Sequence, residues 1–140
     1  MPVDDSNLET PFLNTEYSKV ATEDSIYVSQ SSTNQYSEFL FKDYNSFSDY
    51  KFTVTWIGQT TVRPSNSTVY LQVYNHNSSE WETIAQMPGL FGDSQIPYGG
   101  DDYYFSTEVE NTNFTLTGTI DSNVANYYDV NNYVSCRVYQ

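Results

Sequence analysis

Six side chains, five aromatic and one amide, together offer the rings and the hydrogen-bonding groups that sugar recognition requires. Carbohydrate sites stack an exposed Tyr or Trp ring on the sugar and bond its hydroxyls with amide or carboxylate groups. The candidates are Tyr70, Gln72, Tyr74, Trp81, Tyr98 and Tyr103. The same residues could instead form cross-strand pairs or be covered by a second layer. Because the chain contains 14 tyrosines, the sequence favours this structural interpretation.

Four aspartates offer oxygen ligands for a calcium ion. Calcium takes carboxylate and backbone carbonyl oxygens from loops, and the candidates are Asp101, Asp102, Asp121 and Asp129. The spacing of an EF-hand is absent, and an acid-rich chain places aspartates in loops without any metal. We therefore expect no cofactor, with a structural calcium ion as the alternative.

Residue types that usually carry catalysis are scarce and isolated in this sequence. His76 lies in a polar loop, where a solvated side chain is more common than a general base. Cys136 alternates with two valines, which predicts a small buried side chain rather than a reactive thiolate. Glu80 and Glu82 share a strand face, and solvent exposure explains them better than a glycosidase site does. We expect a protein without enzymatic activity.

The charge of the chain argues against nucleic acid and against membranes as partners. Eighteen acidic and five basic residues give a formal net charge of -13. Nucleic acids and anionic membrane surfaces require clustered Lys and Arg, whereas the basic residues here are scattered singly. No apolar run approaches the roughly 20 residues of a membrane-spanning helix.

The stretch from Ser67 to Ile84, STVYLQVYNHNSSEWETI, predicts a β-hairpin. Val69, Leu71 and Val73 alternate with polar positions, which is the period of a half-buried strand. A polar loop at 75–79 follows, and the next five residues alternate again. Two such strands joined by a short polar loop are typical of a hairpin.

Further alternating segments predict an all-β fold, namely an antiparallel β-sandwich. The additional strands are predicted at 25–29, 36–42, 51–57, 103–107, 113–120 and 133–139. The stretch 86–102 is irregular, and 121–132 could include a helical turn. Gly118 sits on an inward face, which indicates a bulge or a close packing contact. A jelly-roll-like topology is favoured over an immunoglobulin-like one, since one cysteine cannot provide the Cys…Trp…Cys framework.

Residues 1–24 differ from residues 25–140, which we assign to the sandwich domain. MPVDDSNLETPFLNTEYSKVATED has two prolines and few alternating apolar positions, as is typical of an extended arm. Its candidate anchors are Pro11, Phe12, Leu13, Tyr17 and Val20. They could set the arm onto this domain or onto a neighbouring subunit. The alternative is a first strand that folds back on the sandwich.

Three segments resemble the β-sandwich, jelly-roll-like accessory modules of bacterial surface proteins and phage structural proteins. They are STVYLQVYNHNSSEWETI, FTLTGTI and NYYDVNNYVSCRVYQ, and the resemblance spans roughly residues 36–140. Such modules are generally non-catalytic and serve adhesion, sugar contact or particle assembly. The resemblance implies the fold and this broad class, and it transfers no site residue.

These observations predict a structural module that decorates or builds a larger assembly and is anchored by its arm. The assembly would be a phage virion, with this chain as a capsid decoration protein, or a cell-surface array. The expected partners are other protein subunits in a homo-oligomer or lattice, and the expected location is the virion or the extracellular surface. The N-terminus lacks the features of a secretory signal, so we expect a trimmed chain or one used without Sec export. The alternative is a carbohydrate-binding or adhesion module of a secreted surface protein.

Overall fold

Among the residues that the structure describes, six β-strands form the framework. The computed structural model describes residues 3–6, 11–22, 26–30, 37–44, 50–87 and 110–140. The strands are β1 (Glu38–Tyr44), β2 (Phe52–Gly58), β3 (Val69–Asn75), β4 (Glu80–Met87), β5 (Phe114–Ile120) and β6 (Tyr133–Tyr139). Helix α1 (Asn14–Val20) precedes β1, and a 3-10 helix (Val124–Tyr127) precedes β6. Within the described ranges, no helix is long and apolar enough to cross a membrane.

The strands form two antiparallel sheets that pack against each other. Sheet A has the strand order β1-β6-β3-β4, and sheet B pairs β2 with β5. Along the chain, β1 lies in sheet A, β2 in sheet B and β3 in sheet A again. The chain then crosses to sheet B between β4 and β5 and back to sheet A between β5 and β6. Repeated crossing between two sheets is typical of jelly rolls. The predicted all-β antiparallel sandwich is confirmed.

Most of the core comes from strand residues whose alternation predicted an inward position, while Tyr127 and Tyr128, in the segment between β5 and β6, were not predicted to be buried. One cluster contains Val69, Leu71, Phe114, Leu116 and Val138, and a second contains Val73, Ile120, Tyr127, Tyr128 and Val134. The outer face of sheet B carries several threonines beside the exposed Ile57: Thr53 and Thr119 are exposed, and their Oγ1 atoms lie 2.9 Å apart. Because successive strand residues point to opposite faces, one face of each sheet fills the core and the other stays outside.

The hairpin of β3 and β4 contains a β-bulge that the sequence pattern did not indicate. The pairing register shifts between Leu71 and Gln72, which leaves Ile84 as the extra residue on β4. Ile84 packs against both core clusters and lies against Gly118. A Cβ atom at Gly118 would lie 2.6 Å from the Ile84 Cβ, so this position leaves no room for a side chain. Of the two explanations for Gly118, close packing is the one observed.

The chain before β1 contains a helix and no strand in its described parts. Residues 14–20 form α1 within the predicted extended arm, and residues 26–30 are irregular where a strand was predicted at 25–29. Seven residues are too few for a helical period to stand out in the sequence, and a helix so short depends on tertiary packing. The 3-10 helix confirms a helical turn within 121–132. The predicted strand at 103–107 lies outside the described residues.

Candidate functional site

The N-terminal arm is ordered around the start of helix α1. Leu13 occupies the N-cap, and its backbone N–H donates to the carboxylate of Glu16 at 2.7 Å. The start of a helix favours negative charge, so Glu16 supplies the cap that a leucine side chain cannot. Phe12 and Tyr17 pack edge to face at 5.6 Å, which is the hydrophobic staple expected at these two positions. The staple fixes how the chain enters the helix.

Phe12 docks the arm on the inner face of β1. Its ring centroid lies 6.0 Å from that of Phe39 and 6.1 Å from that of Phe41. These two rings belong to the inner face because they pair with Val138 and Cys136, which pack in the core. Among the described residues sheet A has four strands and sheet B two. Phe12 therefore covers apolar surface at the edge of the wider sheet.

Asp5 holds the beginning of the arm on the outer face of sheet A. Its carboxylate accepts a hydrogen bond from Ser135 Oγ at 2.7 Å and forms an ion pair with Lys42 Nζ at 2.9 Å. Burial raises the pKa of Asp5, but the Ser135 hydrogen bond and the Lys42 ammonium outweigh burial and bring the pKa below its usual value. His76 Nε2 lies 3.8 Å from the same carboxylate.

The two anchors place the arm on both faces of one edge strand. Lys42 and Ser135 lie opposite each other on β1 and β6. The residues before and after Ser135 along β6 face the core, so Ser135 and Lys42 lie on the outer face. Phe12 lies on the inner face of the same strand. Within the described residues β1 ends the order of sheet A, and edge strands are open to further contacts. Here the arm of the same chain contacts both faces of β1. We call this arrangement, formed by Phe12 and Asp5 on β1, the arm clasp.

Three of the exposed apolar side chains in the described part of the arm lie at the N-cap of α1 or within α1. Leu13 is 67%, Tyr17 54% and Val20 44% exposed, and their spacing of three or four residues puts them on one helix face. We call these three residues the arm stripe. Of the other predicted anchors, Pro11 is exposed and Phe12 is half-buried against the sandwich. In the described part of the arm, Phe12 is therefore the apolar anchor on the domain of the same chain, and the arm stripe is exposed.

Four of the predicted sugar-contact residues share the outer face of sheet A: Tyr70, Gln72, Tyr74 and Trp81. Tyr74 is 6% exposed and packs edge to face on Trp81 at 5.2 Å. Tyr70 stacks on Tyr139 at 5.0 Å, and Gln72 is 8% exposed. These side chains therefore form cross-strand pairs, while Tyr70 and Trp81 keep part of their surface open. The other two candidates, Tyr98 and Tyr103, lie outside the described residues.

Arg137 is buried at the centre of this face. In the sequence it is one of five basic residues that are scattered singly, and nothing there marked it as buried. It is 4% exposed. Its Nε donates to Gln72 Oε1 at 2.8 Å, and its Nη1 donates to Glu38 Oε1 at 3.2 Å. The guanidinium carbon lies 4.2 Å from the Trp81 ring centroid and 5.4 Å from that of Tyr139. A buried charge needs such partners, and no local signal in the sequence indicated this role for Arg137.

A second polar network joins the hairpin to the 3-10 helix. Glu82 accepts hydrogen bonds from the Tyr127 hydroxyl at 2.6 Å and from Asn75 Nδ2 at 2.7 Å. Burial and the Glu82 carboxylate raise the pKa of Tyr127 to about 12. The sequence explained Glu82 by solvent exposure, and these contacts show that this prediction is wrong. The network fixes the turn after β5 against the sandwich.

The calcium candidates in the described residues do not gather into a site. Asp129 accepts backbone N–H groups from Tyr133 at 2.9 Å and Asn131 at 2.7 Å, and these bonds lower its pKa. Asp129 is thus a turn former, and Asp121 is exposed. Over the described part of the chain, no group of three His, Cys, Asp or Glu could hold a metal. Asp101 and Asp102 lie outside it.

The histidine and the cysteine both pack against neighbouring side chains. Burial, and to a lesser degree Asp43, raises the pKa of Cys136 to about 11, so its thiol is protonated at neutral pH. His76 packs edge to face on Tyr74 at 5.0 Å, and its buried Nε2 has no hydrogen-bond partner among the described residues. His76 therefore stands beside the Asp5 anchor rather than in solvent.

A protein-family comparison identifies the first two thirds of the chain. Residues 1–94 match the family described as "Uncharacterized protein, C-terminal domain" (AF_1625_C), and the chain belongs to this family. The matched region contains the arm and strands β1 to β4, and it ends before β5 and β6. No curated protein and no solved structure matches the chain.

Proposed function

We propose that this chain is a non-enzymatic structural module that decorates or builds a larger assembly, and that its N-terminal arm joins it to neighbouring subunits. In this proposal the assembly is a virion lattice or a cell-surface array. The main support is the arm stripe, whose apolar side chains are exposed on an arm that Phe12 and Asp5 hold in place. A surface that is already ordered loses little further conformational entropy when a partner covers it.

The position of the arm stripe supports a docking role better than its exposure alone. Single exposed apolar residues are normal on protein surfaces. The arm stripe, however, continues through the Phe12–Tyr17 ring contact into the half-buried rings of Phe39 and Phe41. Contiguous apolar surface of this kind marks interaction sites. Covering it would stabilise a contact by less than the about 1.5–3 kcal/mol gained when a fully exposed apolar side chain is buried, because these side chains are 44–67% exposed.

The solution mass of the full chain over a concentration series, measured by light scattering, tests this function. We expect the wild type to associate and the double variant Leu13→Ser/Val20→Ser to remain monomeric. Tyr17 is left in place because its ring packs on Phe12. Serine is a favourable N-cap residue, so α1 should persist in the variant, and circular dichroism would verify the fold.

Val130→Ser is the matched control for this experiment. Val130 is 98% exposed and lies in the turn before β6, outside the arm stripe, so its variant should associate as the wild type does. A wild type that stays monomeric at every concentration would contradict the proposal. Association of the double variant at wild-type strength would contradict it as well.

A carbohydrate-binding or adhesion role is the second candidate. Tyr70, Trp81 and Tyr139 remain partly exposed on the outer face of sheet A, so aromatic rings are available there for stacking on a sugar. A glycan array would show a bound sugar that Tyr70→Ser loses and that Tyr50→Ser, at a 95% exposed tyrosine, retains. An array without any bound glycan would exclude this role.

A further inference from the structure

We propose that the arm is exchanged between copies of this chain. The arm of one copy would dock on strand β1 of a second copy through the contacts of the arm clasp. This inference rests on the proposed function, because it specifies which surfaces of neighbouring subunits hold each other. The partner it names is a second copy of this chain.

The receptor for the arm is a strand that any copy of the arm could reach from outside. Strand β1 ends the order of sheet A within the described residues and pairs with β6 on one side. The arm clasp uses the rings of Phe39 and Phe41 on one face and Lys42 with Ser135 on the other. A second copy of the arm carries the same phenylalanine and the same carboxylate, so it fits this receptor equally well.

The chain between the arm and the sandwich is long enough for exchange. Between α1 and β1, the described residues 21–22, 26–30 and 37 contain neither helix nor strand. The Tyr27 hydroxyl lies 2.9 Å from Asn113 Oδ1 and tethers this connection at the start of β5. The seven-residue step from Val20 to Tyr27 can extend over roughly 23–25 Å. The arm can therefore reach a neighbour while the tether stays in place.

Exchange preserves the contacts of the closed chain and allows new ones. Swapping an identical element between protomers conserves its interactions, so the closed and exchanged forms differ mainly in association entropy and in the contacts at the junction. The arm stripe directly follows the docked Phe12 along the chain. In an exchanged pair it lies where one copy meets the other and can be covered, whereas the closed chain leaves it exposed. Higher protein concentration thus favours exchange.

Two full-length variants with reversed charges test the exchange. In Asp5→Lys the arm repels its own Lys42, and in Lys42→Glu the receptor repels its own Asp5. Each variant alone lacks a compatible pair, either within the chain or with another copy of itself. In a mixture both pairings become compatible, since each arm meets an opposite charge on the other chain. Native mass spectrometry should show at least about tenfold more mixed dimer than either self-dimer, since tenfold corresponds to a preference of about 1.4 kcal/mol.

The double variant Asp5→Lys/Lys42→Glu is the matched control, because it restores a compatible pair within one chain and should dimerise as the wild type does. Circular dichroism of each variant would verify that the sandwich is folded. If the wild type associates but the mixture shows no preference for mixed dimers, arm exchange is wrong while the proposed assembly function stands. If the wild type is monomeric at every concentration, both proposals fail.

Discussion

Arg137 is charged, buried and enclosed by two aromatic rings, so its contribution depends on the shape of its head group as well as on its charge. The guanidinium offers a planar surface to Trp81 and directed N–H groups to Gln72 and Glu38. A lysine ammonium provides neither the planar surface nor the fork of donors. The two residues are therefore not interchangeable at this position.

We predict that Arg137→Lys lowers the free energy of unfolding by about 2 kcal/mol, as expected for a lost hydrogen bond to a charged group. Urea denaturation of both proteins measures the difference. Arg63→Lys is the control, because Arg63 forms an exposed ion pair with Glu110 at 3.2 Å, and we expect a change within about 0.5 kcal/mol there. Equal effects at the two positions would show that the enclosure of Arg137 contributes nothing.

Tyr127 makes the stability of the domain depend on pH in the alkaline range. The fold raises its pKa from 10.0 to about 12, first through burial and then through the Glu82 carboxylate. The neutral form is thus favoured in the folded state. Its contribution is complete below the unfolded pKa and is lost as the pH rises through the folded pKa.

We predict that the free energy of unfolding of the wild type falls between about pH 10 and pH 12 by more than that of Tyr127→Phe. Urea denaturation at each pH gives the free energy of unfolding of both proteins. The difference between the two pH profiles reports on Tyr127 and not on the thirteen other tyrosines. Tyr50→Phe, at a 95% exposed position, should retain the wild-type slope. Parallel curves for the wild type and Tyr127→Phe would mean that the Glu82 contact does not perturb the titration of Tyr127.

Helix α1 depends on its attachment to β1. It has seven residues, none of them buried, and isolated helices of that length are unstable in water. The contacts of Phe12 with Phe39 and Phe41 are what hold the helix near the sandwich on the inner face. Loss of this anchor should therefore release the element as a unit.

We predict that Phe12→Ala destabilises the domain by about 2 kcal/mol, less than a fully buried Phe→Ala substitution, and that amide exchange in α1 becomes much faster. Hydrogen exchange by mass spectrometry reports on α1 and on the strands separately. Leu13→Ala removes an exposed side chain and should leave the exchange of α1 unchanged. Unaltered protection of α1 in Phe12→Ala would show that another contact holds the helix.

At the scale of the whole molecule, charge opposes association. Each copy carries a formal net charge of -13, so copies that approach one another repel. Salt screens charges more than about 10 Å apart at 0.1 M ionic strength. The Asp5–Lys42 ion pair is less sensitive to screening by salt, because the Asp5 side chain is only 13% exposed.

We predict that the assembled fraction rises as sodium chloride increases from about 50 to about 500 mM. Light scattering at constant protein concentration measures this fraction, and sucrose of matched viscosity is the control for nonspecific solvent effects. A fall in the assembled fraction with salt would indicate that ion pairs, rather than the arm stripe, hold the subunits together.

The division of the chain into an arm at 1–24 and a sandwich at 25–140 stays a prediction.

Local patterning in the sequence was sufficient for the class of fold and for most strands. The prediction placed strands at 51–57, 113–120 and 133–139, and the structure has Phe52–Gly58, Phe114–Ile120 and Tyr133–Tyr139. It succeeded because alternation of apolar and polar residues is a property of each strand alone. The close packing of Gly118 could be anticipated for the same reason, as a residue without a side chain on an inward face.

Tertiary structure alone decided the candidate site. Asp5 meets Ser135, 130 positions away along the chain, and Arg137 meets Glu38, 99 positions away. Such pairings follow from which strands lie side by side, and no local pattern in the sequence records that order. The sequence determined which residues turn inward along each strand, whereas only the folded sheets decided that the arm reaches both faces of β1 and that Arg137 is buried.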